Sequence, residues 1–545
     1  MVEKNKRYQI EITDVSSDGN GIGAIDGFAV FVPMTAKGDV CEILIVKVLS
    51  HYAIGRLMET KIPSQDRTEP LCPVFKRCGG CHLQHIKYDA QLDIKRSFVE
   101  SAMRRIGGFA GFKCGEVIGM DEPYRYRNKC VYPIGRDKNG NTICGFYASR
   151  SHDIIPVGDC LTGGAINEKI NEAVLEYMNE NNVSAYDEGT HKGCVRRVFI
   201  RSAKTTGEIM VVISVNGKSL PRRERLIKRL RDISEDIVSV YININTGQNN
   251  TVLGRDNKLI YGKETITDTL CGIDFKISPH SFYQINPQMT EKLYGRALEY
   301  ADIKSEDVVL DVYCGIGTIS LAAAKKAKKV YGIEIVGQAI INARENAENN
   351  GIENAEFFAD SAEAAVPRLI ESGIRPDTVI LDPPRKGSDE VTLNAIVSAQ
   401  PKRIVYVSCN PATLARDAKH LSQHGYTPQK GTAVDMFPHT VHVETVCLLS
   451  KLKSSEHIEV ELKMDEIDLT AAEKKAIYDE IKEYILKNHG LKVSQLNIAQ
   501  VKRKYGIIER ENYNKPKSDD SKQPNCTPEK EKAITEAFKH FGMIN

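Results

Sequence analysis

The 545-residue chain balances 74 Lys and Arg against 72 Asp and Glu for a formal charge of +2, and holds 14 cysteines but no tryptophan. At 41% hydrophobic and 27% charged residues it has core material for about three or four domains, which excludes a largely disordered chain. No apolar run approaches the roughly 18 residues that span a bilayer, and MVEKNKRYQIEITD has no apolar signal region, so a cytoplasmic protein with reduced thiols and no membrane partner is expected.

Residues 1–62 alternate apolar and polar positions between glycine turns (YQIEITDV, FAVFVP, DVCEILIVKVL), which predicts about five short strands in a small OB-like β-barrel. A Pro/Cys/Gly loop follows, with Cys72, Cys78 and Cys81 in a C-x5-C-x2-C spacing and Cys160 further on. Four thiols admit zinc or an iron–sulfur cluster. A zinc ribbon would pair two CxxC units and GDCLTGG around Cys160 is single, but His82 and His85 are alternative ligands, so both metals stay open.

A helix is expected at about 88–106, then a basic, mixed α/β region to residue 275. Residues 192–231 hold 12 Lys and Arg against 2 acids, and 124–150 hold 6 against 1. Such clusters suit phosphate, and the alternation Tyr124, Arg125, Tyr126, Arg127 suits stacked bases held by guanidinium groups. RRERLIKRLR at 222–231 reads equally well as a solvated helix face. Residues 276–452 alternate short hydrophobic strands with helices, the pattern of a doubly wound parallel α/β sheet. Residues 453–545 are charge-dense and helical, with a capping box at Thr470 and Glu473, a polar linker at 514–525 and a last helix opened by Thr527 and Pro528. Their near-balanced charge predicts a solvated appendage, although KVSQLNIAQVKRKYGI has a faint helix-turn-helix look.

Within the α/β region, VVLDVYCGIGTISLAAA is a strand, a glycine loop and a helix. Gly315 and Gly317 allow close approach of a ligand, and Glu334, 17 residues beyond Gly317, ends the next strand where a carboxylate meets ribose hydroxyls. Ser320 replaces the third glycine of a dinucleotide fingerprint. With Asp311 and the later DPP, that favours S-adenosylmethionine, which has no pyrophosphate. Asp360, after the third strand, is placed to meet the adenine amine or simply to cap the next helix.

TVILDPPRKG ends the fourth strand with Arg385 where amine methyltransferases carry an aromatic residue. RIVYVSCNP puts Cys409 at the carboxyl end of the fifth strand, facing the cofactor crevice. A thiolate adding to carbon 6 of a pyrimidine makes carbon 5 nucleophilic, and a base then removes the carbon 5 proton. Glu444 in FPHTVHVETV, near His439 and His442, is the candidate base, its apolar neighbours raising its pKa.

These residues resemble the RNA uracil-5-methyltransferase family, and its 23S rRNA branch in particular. The resemblance rests on FYQINP (282–287), DVYCGIG (311–317), GIEI (332–335), DPPRKG (382–387), SCNP (408–411) and HVET (442–445), and covers about residues 5–452. It implies an N-terminal TRAM domain at 1–62, a central RNA-binding domain with an iron–sulfur loop at 63–275, and a Rossmann-like methyltransferase domain at 276–452. Residues 453–545 form a helical C-terminal extension outside the family pattern. The resemblance further implies Cys409 as nucleophile, Glu444 as proton acceptor, and Gln284, Tyr313, Glu334 and Asp382 as S-adenosylmethionine contacts, Asp382 also near the pyrimidine edge. It implies a 4Fe–4S cluster on Cys72, Cys78, Cys81 and Cys160, and a monomer acting on 23S rRNA. Methylation of tRNA, or a non-catalytic iron–sulfur RNA-binding protein, are the alternatives.

Overall fold

The computed structural model describes residues 2–149, 151–451, 473–505 and 526–541. Period-two patterning at the start of the chain gives six strands, one more than expected, in the spatial order Arg7–Glu11, Val40–Val48, Tyr52–Ile62, Phe28–Val32, Gly21–Ile25, Asp14–Val15. Ile10, Val30, Val32, Ile43 and Ile45 point inward and form a separate small core. The cysteine loop then leads into the helix Tyr88–Arg105, which packs on the helix Pro411–Gln423.

The middle of the chain builds a seven-stranded mixed sheet, ordered Asp256–Gly262, Ile237–Ile244, Ile209–Val215, Val195–Ser202, Lys129–Arg136, Thr142–Tyr147, Ile154–Pro156. Val198, Ile200, Val211 and Ile213 share a core with the helices Ile166–Glu180 and Arg223–Ile233. Phe199, Met210, Val212 and Tyr241 point the other way, into a core that continues to the α/β region at 276–452. Both faces of these strands are therefore covered.

That covering turns part of the basic stretch inward. Arg196, Arg197 and Arg201 are buried, and donate to the carbonyls of Asn245 and Gly247, of Thr251 and of Ser281 respectively. These three brace the interior, whereas Lys192, Lys204, Lys218, Arg222, Arg225, Lys228 and Arg231 of the same stretch are exposed. The aromatic–basic run is likewise absorbed. Tyr126 is buried with its hydroxyl on Pro438 O, Arg125 is paired with Asp159, and Tyr124 packs on the His439 ring.

The hydrophobic strands of the α/β region form a second seven-stranded sheet: Ala355–Ala359, Lys329–Glu334, Val308–Val312, Thr378–Leu381, Arg403–Ser408, Glu444–Lys451, Tyr426–Val434. The first five run parallel, and the last two form an antiparallel pair whose inner strand, Glu444–Lys451, borders Arg403–Ser408. Helices Pro287–Ala301, Thr318–Ala324 and Gly337–Asn349 share one core with this sheet; Ala362–Glu371, Glu390–Ala399 and Pro411–Gln423 share the other. Strand order reverses between Val308–Val312 and Thr378–Leu381, and the crevice at their carboxyl ends is where such sheets bind ligands.

Residues 1–453 make one compact unit and 454–545 a second. In the latter, helices Glu473–His489, Gln495–Lys504 and Pro528–His540 bury Ile481, Ile485, Ile498, Val501, Ile534 and Phe538 together. The extension thus has a hydrophobic core of its own, where balanced charge alone predicts a solvated appendage. Thr470 and the linker at 514–525 lie outside the described residues.

Candidate active site

The strand Val308–Val312 ends in a loop that the sequence bends sharply. Gly315 and Gly317 have φ of 57° and 85°, and a Cβ on Gly317 would meet the Phe357 ring at 3.2 Å. Tyr313 adopts φ of 75° despite its side chain, and its hydroxyl lies 3.0 Å from Ser388 Oγ. Glu334 braces the loop: Gly315 N donates to Oε2 at 3.2 Å and Val336 N to Oε1 at 2.9 Å. Asp311, read in the sequence as a cofactor signal, is buried and accepts from Ser320 Oγ at 2.5 Å. It braces the loop and also lines a small cavity with Gln284, Tyr313 and Asp382, its Oδ1 without a hydrogen-bond partner; burial pushes its pKa up to about 7.

One cavity of about 720 Å³ gathers every residue expected at the cofactor and the chemistry: Gln284, Tyr313, Glu334, Asp360, Asp382, Cys409 and Glu444. Asp360 lines it while also pairing with Arg368 at 2.9 Å and accepting from Ser361 N, the N-cap of a helix that has no side-chain capping bond. Asp382 is raised to about 6 by burial.

Cys409 and Glu444 meet through strand register. Ser408 pairs with Thr445 in the antiparallel ladder, so the next residues on each strand face one another across the cavity. Burial pushes the Cys409 thiol up to about 11, with the charges of Glu444 and Asp382 adding to it and Arg385 opposing. Burial likewise raises Glu444 well above the usual carboxylate range, reinforced by Asp382. Glu444 and Asp382 thus both oppose ionisation of the thiol. His442 lines the cavity and is held neutral, its pKa pushed down to about 4 by burial. His439 does not line it; its Nδ1 lies 3.2 Å from Gln91 Nε2.

The tRNA (Uracil-5-)-methyltransferase family profile matches residues 225–452, and the TRAM domain profile matches residues 2–58. An uncharacterized RNA methyltransferase of Clostridium tetani is 46% identical over 449 residues, 82% of this chain and 97% of that protein. The chain belongs to the RNA uracil-5-methyltransferase family. A second RNA methyltransferase, from Halalkalibacterium halodurans, is 44% identical over 82% of this chain and 98% of its own length. Among solved structures, the Pyrococcus abyssi tRNA (uracil-54, C5)-methyltransferase in complex with S-adenosyl-L-homocysteine is 29% identical, with a TM-score of 0.66. That match covers 81% of this chain and all of the other.

In this methyltransferase the four early cysteines converge. Burial raises Cys72 and Cys78, and lifts Cys81 to about 11, while the charge on Cys160 adds to all three. Gly80 N donates to Cys78 Sγ at 3.4 Å. Among the described residues no three His, Cys, Asp or Glu side chains are arranged around one ion. His85 is turned away, its Nε2 on Thr35 O at 3.2 Å.

The cavity also contains residues that sequence reasoning passed over. Lys129 lines it, its pKa lowered to about 8 by burial and by Arg201 and Arg127. Phe282 stands 65% exposed on the rim, and Ile335 and Val336 present an exposed apolar edge. Phe282 could have been found from FYQINP, since an aromatic two residues from Gln284 shares its surroundings. Lys129 appeared only within a charge count.

Proposed function

We propose that this enzyme transfers a methyl group from S-adenosylmethionine to carbon 5 of a uridine in RNA, with 23S rRNA as the substrate. The observation that carries the reading is the placement of Cys409 and Glu444 on adjacent strands, facing into the cavity that the Glu334 loop lines. S-adenosylmethionine supplies the electrophilic methyl. Glu334, Tyr313 and Gln284 would hold its ribose and amino-acid portions beside Asp382. The Cys409 thiolate adds to carbon 6, and the electron pair displaced onto carbon 5 takes the methyl. Glu444 then removes the carbon 5 proton; that bond's electrons restore the carbon 5–carbon 6 double bond and expel the thiolate. Burial and the Asp382 charge hold Glu444 well above the usual carboxylate range, which suits it to take a proton. The target base has to leave its stack to enter the cavity.

Cys72, Cys78, Cys81 and Cys160 are proposed to hold a 4Fe–4S cluster that ties their loop to the segment around Cys160. The methyl transfer needs no electron from it. A cytoplasmic monomer is the proposed working form.

The tRNA reading is favoured by one observation. The Pyrococcus abyssi enzyme acts on tRNA, and its match is longer than residues 63–452, so a barrel alone does not select rRNA. Tritium release from 5-tritiated uridine RNA tests the chemistry, with 23S rRNA and tRNA transcripts assayed side by side. Release from 23S rRNA alone supports the proposal, release from tRNA alone replaces the substrate, and no release from either refutes the reaction.

A further inference from the structure

Glu444 is the first residue of its strand, and it follows nine residues, 435–443, that have no regular structure. A loop of that kind would ordinarily blur the position of the residue after it. Here it is fixed from outside at five successive positions. The Asp435 carboxylate, fully buried, takes Lys95 on one oxygen and the Tyr88 hydroxyl on the other at 2.8 Å. Met436 O accepts from Asn286 Nδ2 at 3.1 Å, and Phe437 O from Lys95 Nζ at 3.1 Å. Pro438 O accepts from the Tyr126 hydroxyl at 3.1 Å.

His439, at φ of 66°, is gripped on both backbone groups. Its N–H donates to Gln91 Oε1 at 3.1 Å, and its O accepts from His82 N at 2.8 Å and Leu83 N at 2.9 Å. Gln91 itself is buried and anchored by its Nε2 on Ile86 O at 2.8 Å.

A buried ion pair such as Lys95–Asp435 roughly breaks even against apolar residues of the same volume, so stability alone is a poor account of it. Geometry is a better one. We infer that Gln91, with Lys95 and Tyr126, is a positioning residue for proton abstraction: the helix Tyr88–Arg105 and the cysteine loop clamp the 435–443 turn, and the turn sets Glu444 against the substrate carbon. The inference rests on the reading of Glu444 as the base. Its consequence is specific. Loosening the clamp should spare methyl transfer, which needs Cys409 and the cofactor loop, and retard the later step in which Glu444 takes the proton and Cys409 leaves.

The test uses the full-length protein, RNA from cells lacking the gene, and S-adenosylmethionine with a tritiated methyl group. Gln91→Leu removes the grip on His439, and Tyr126→Phe removes the milder bond to Pro438. A displacement near 1 Å at a reacting group costs up to about a hundredfold, so Gln91→Leu should slow turnover about ten- to hundredfold. It should also accumulate methylated RNA covalently bound to protein on denaturing gels, with single-turnover methyl incorporation and S-adenosylhomocysteine affinity at parent values. Tyr126→Phe should act in the same direction more weakly, and serves if Gln91→Leu fails to fold. Parent turnover with no adduct overturns the inference, and so does loss of methyl incorporation in step with cofactor affinity. Glu444→Gln is run in parallel. If it yields no adduct, the base assignment itself has failed, and the clamp is then judged by the nuclear magnetic resonance titration of His442. A rise from about 4 in Gln91→Leu upholds the clamp, and an unmoved midpoint refutes it.

Discussion

Replacing Glu444 by Gln should make Cys409 more acidic. Burial is the main reason the thiol titrates near 11, but the Glu444 charge is the second and Asp382 the third. At pH 8 a thiol of that pKa is ionised in about one molecule in a thousand, against about one in ten for an ordinary cysteine near 9. Its more basic thiolate recovers about tenfold through greater nucleophilicity, which leaves alkylation roughly tenfold slow. Over the range in which the thiol titrates, Glu444 is ionised and repels the thiolate, so removing the carboxylate lowers the midpoint; burial remains, so the midpoint stays above 9. The assay is the rate of iodoacetamide labelling between pH 7 and about 11, read on the Cys409 peptide by mass spectrometry so that the other thiols do not interfere. An unmoved or raised midpoint in Glu444→Gln, or labelling of the parent Cys409 at an ordinary rate at pH 8, would refute the electrostatic coupling.

Other outcomes follow from the same geometry. Cys409→Ala should bind RNA and transfer no methyl, and Glu444→Gln should trap methylated RNA as a covalent adduct; gel shift and denaturing gels read the two. Asp435→Ala leaves Lys95 buried without its partner and should cost about 3–5 kcal/mol in urea unfolding, whereas Lys95→Met combined with Asp435→Leu should cost much less. Gly332→Ala places a Cβ 2.6 Å from Phe357 and 3.0 Å from Cys314 Sγ, which should destabilise the protein by about 1–3 kcal/mol in the same assay. Cys160→Ser should lower the iron and sulfide content of anaerobically purified protein; parent-level iron would exclude Cys160 as a ligand.

The parallel strands, the glycine loop and Cys409 were legible because each depends on local pattern: a short hydrophobic run, a turn that only glycine tolerates, a thiol just past a strand end. Charge was the least legible quantity. Arg196, Arg197 and Arg201 counted toward a nucleic-acid surface, yet strands covered on both faces turn them inward to loop carbonyls. Lys95 and Asp435 stand 340 positions apart, and neither is unusual in its own neighbourhood. Asp311 shows a different limit, since its position beside the glycine loop was legible and its bond to Ser320 was not. A carboxylate near a loop serves a ligand or the loop itself according to which way it points, and a sequence does not record direction.

The strand Glu444–Lys451 is the last of its sheet in chain order, yet it lies inside the sheet, between Arg403–Ser408 and Tyr426–Val434. During synthesis from the N-terminus, the cofactor loop and the nucleophile's strand emerge first and the slot for the base stands open. In the proposed mechanism an unfinished chain would therefore hold the thiol without the carboxylate that releases it, and would gain that carboxylate only when the final strand enters the slot and Glu444 comes opposite Cys409.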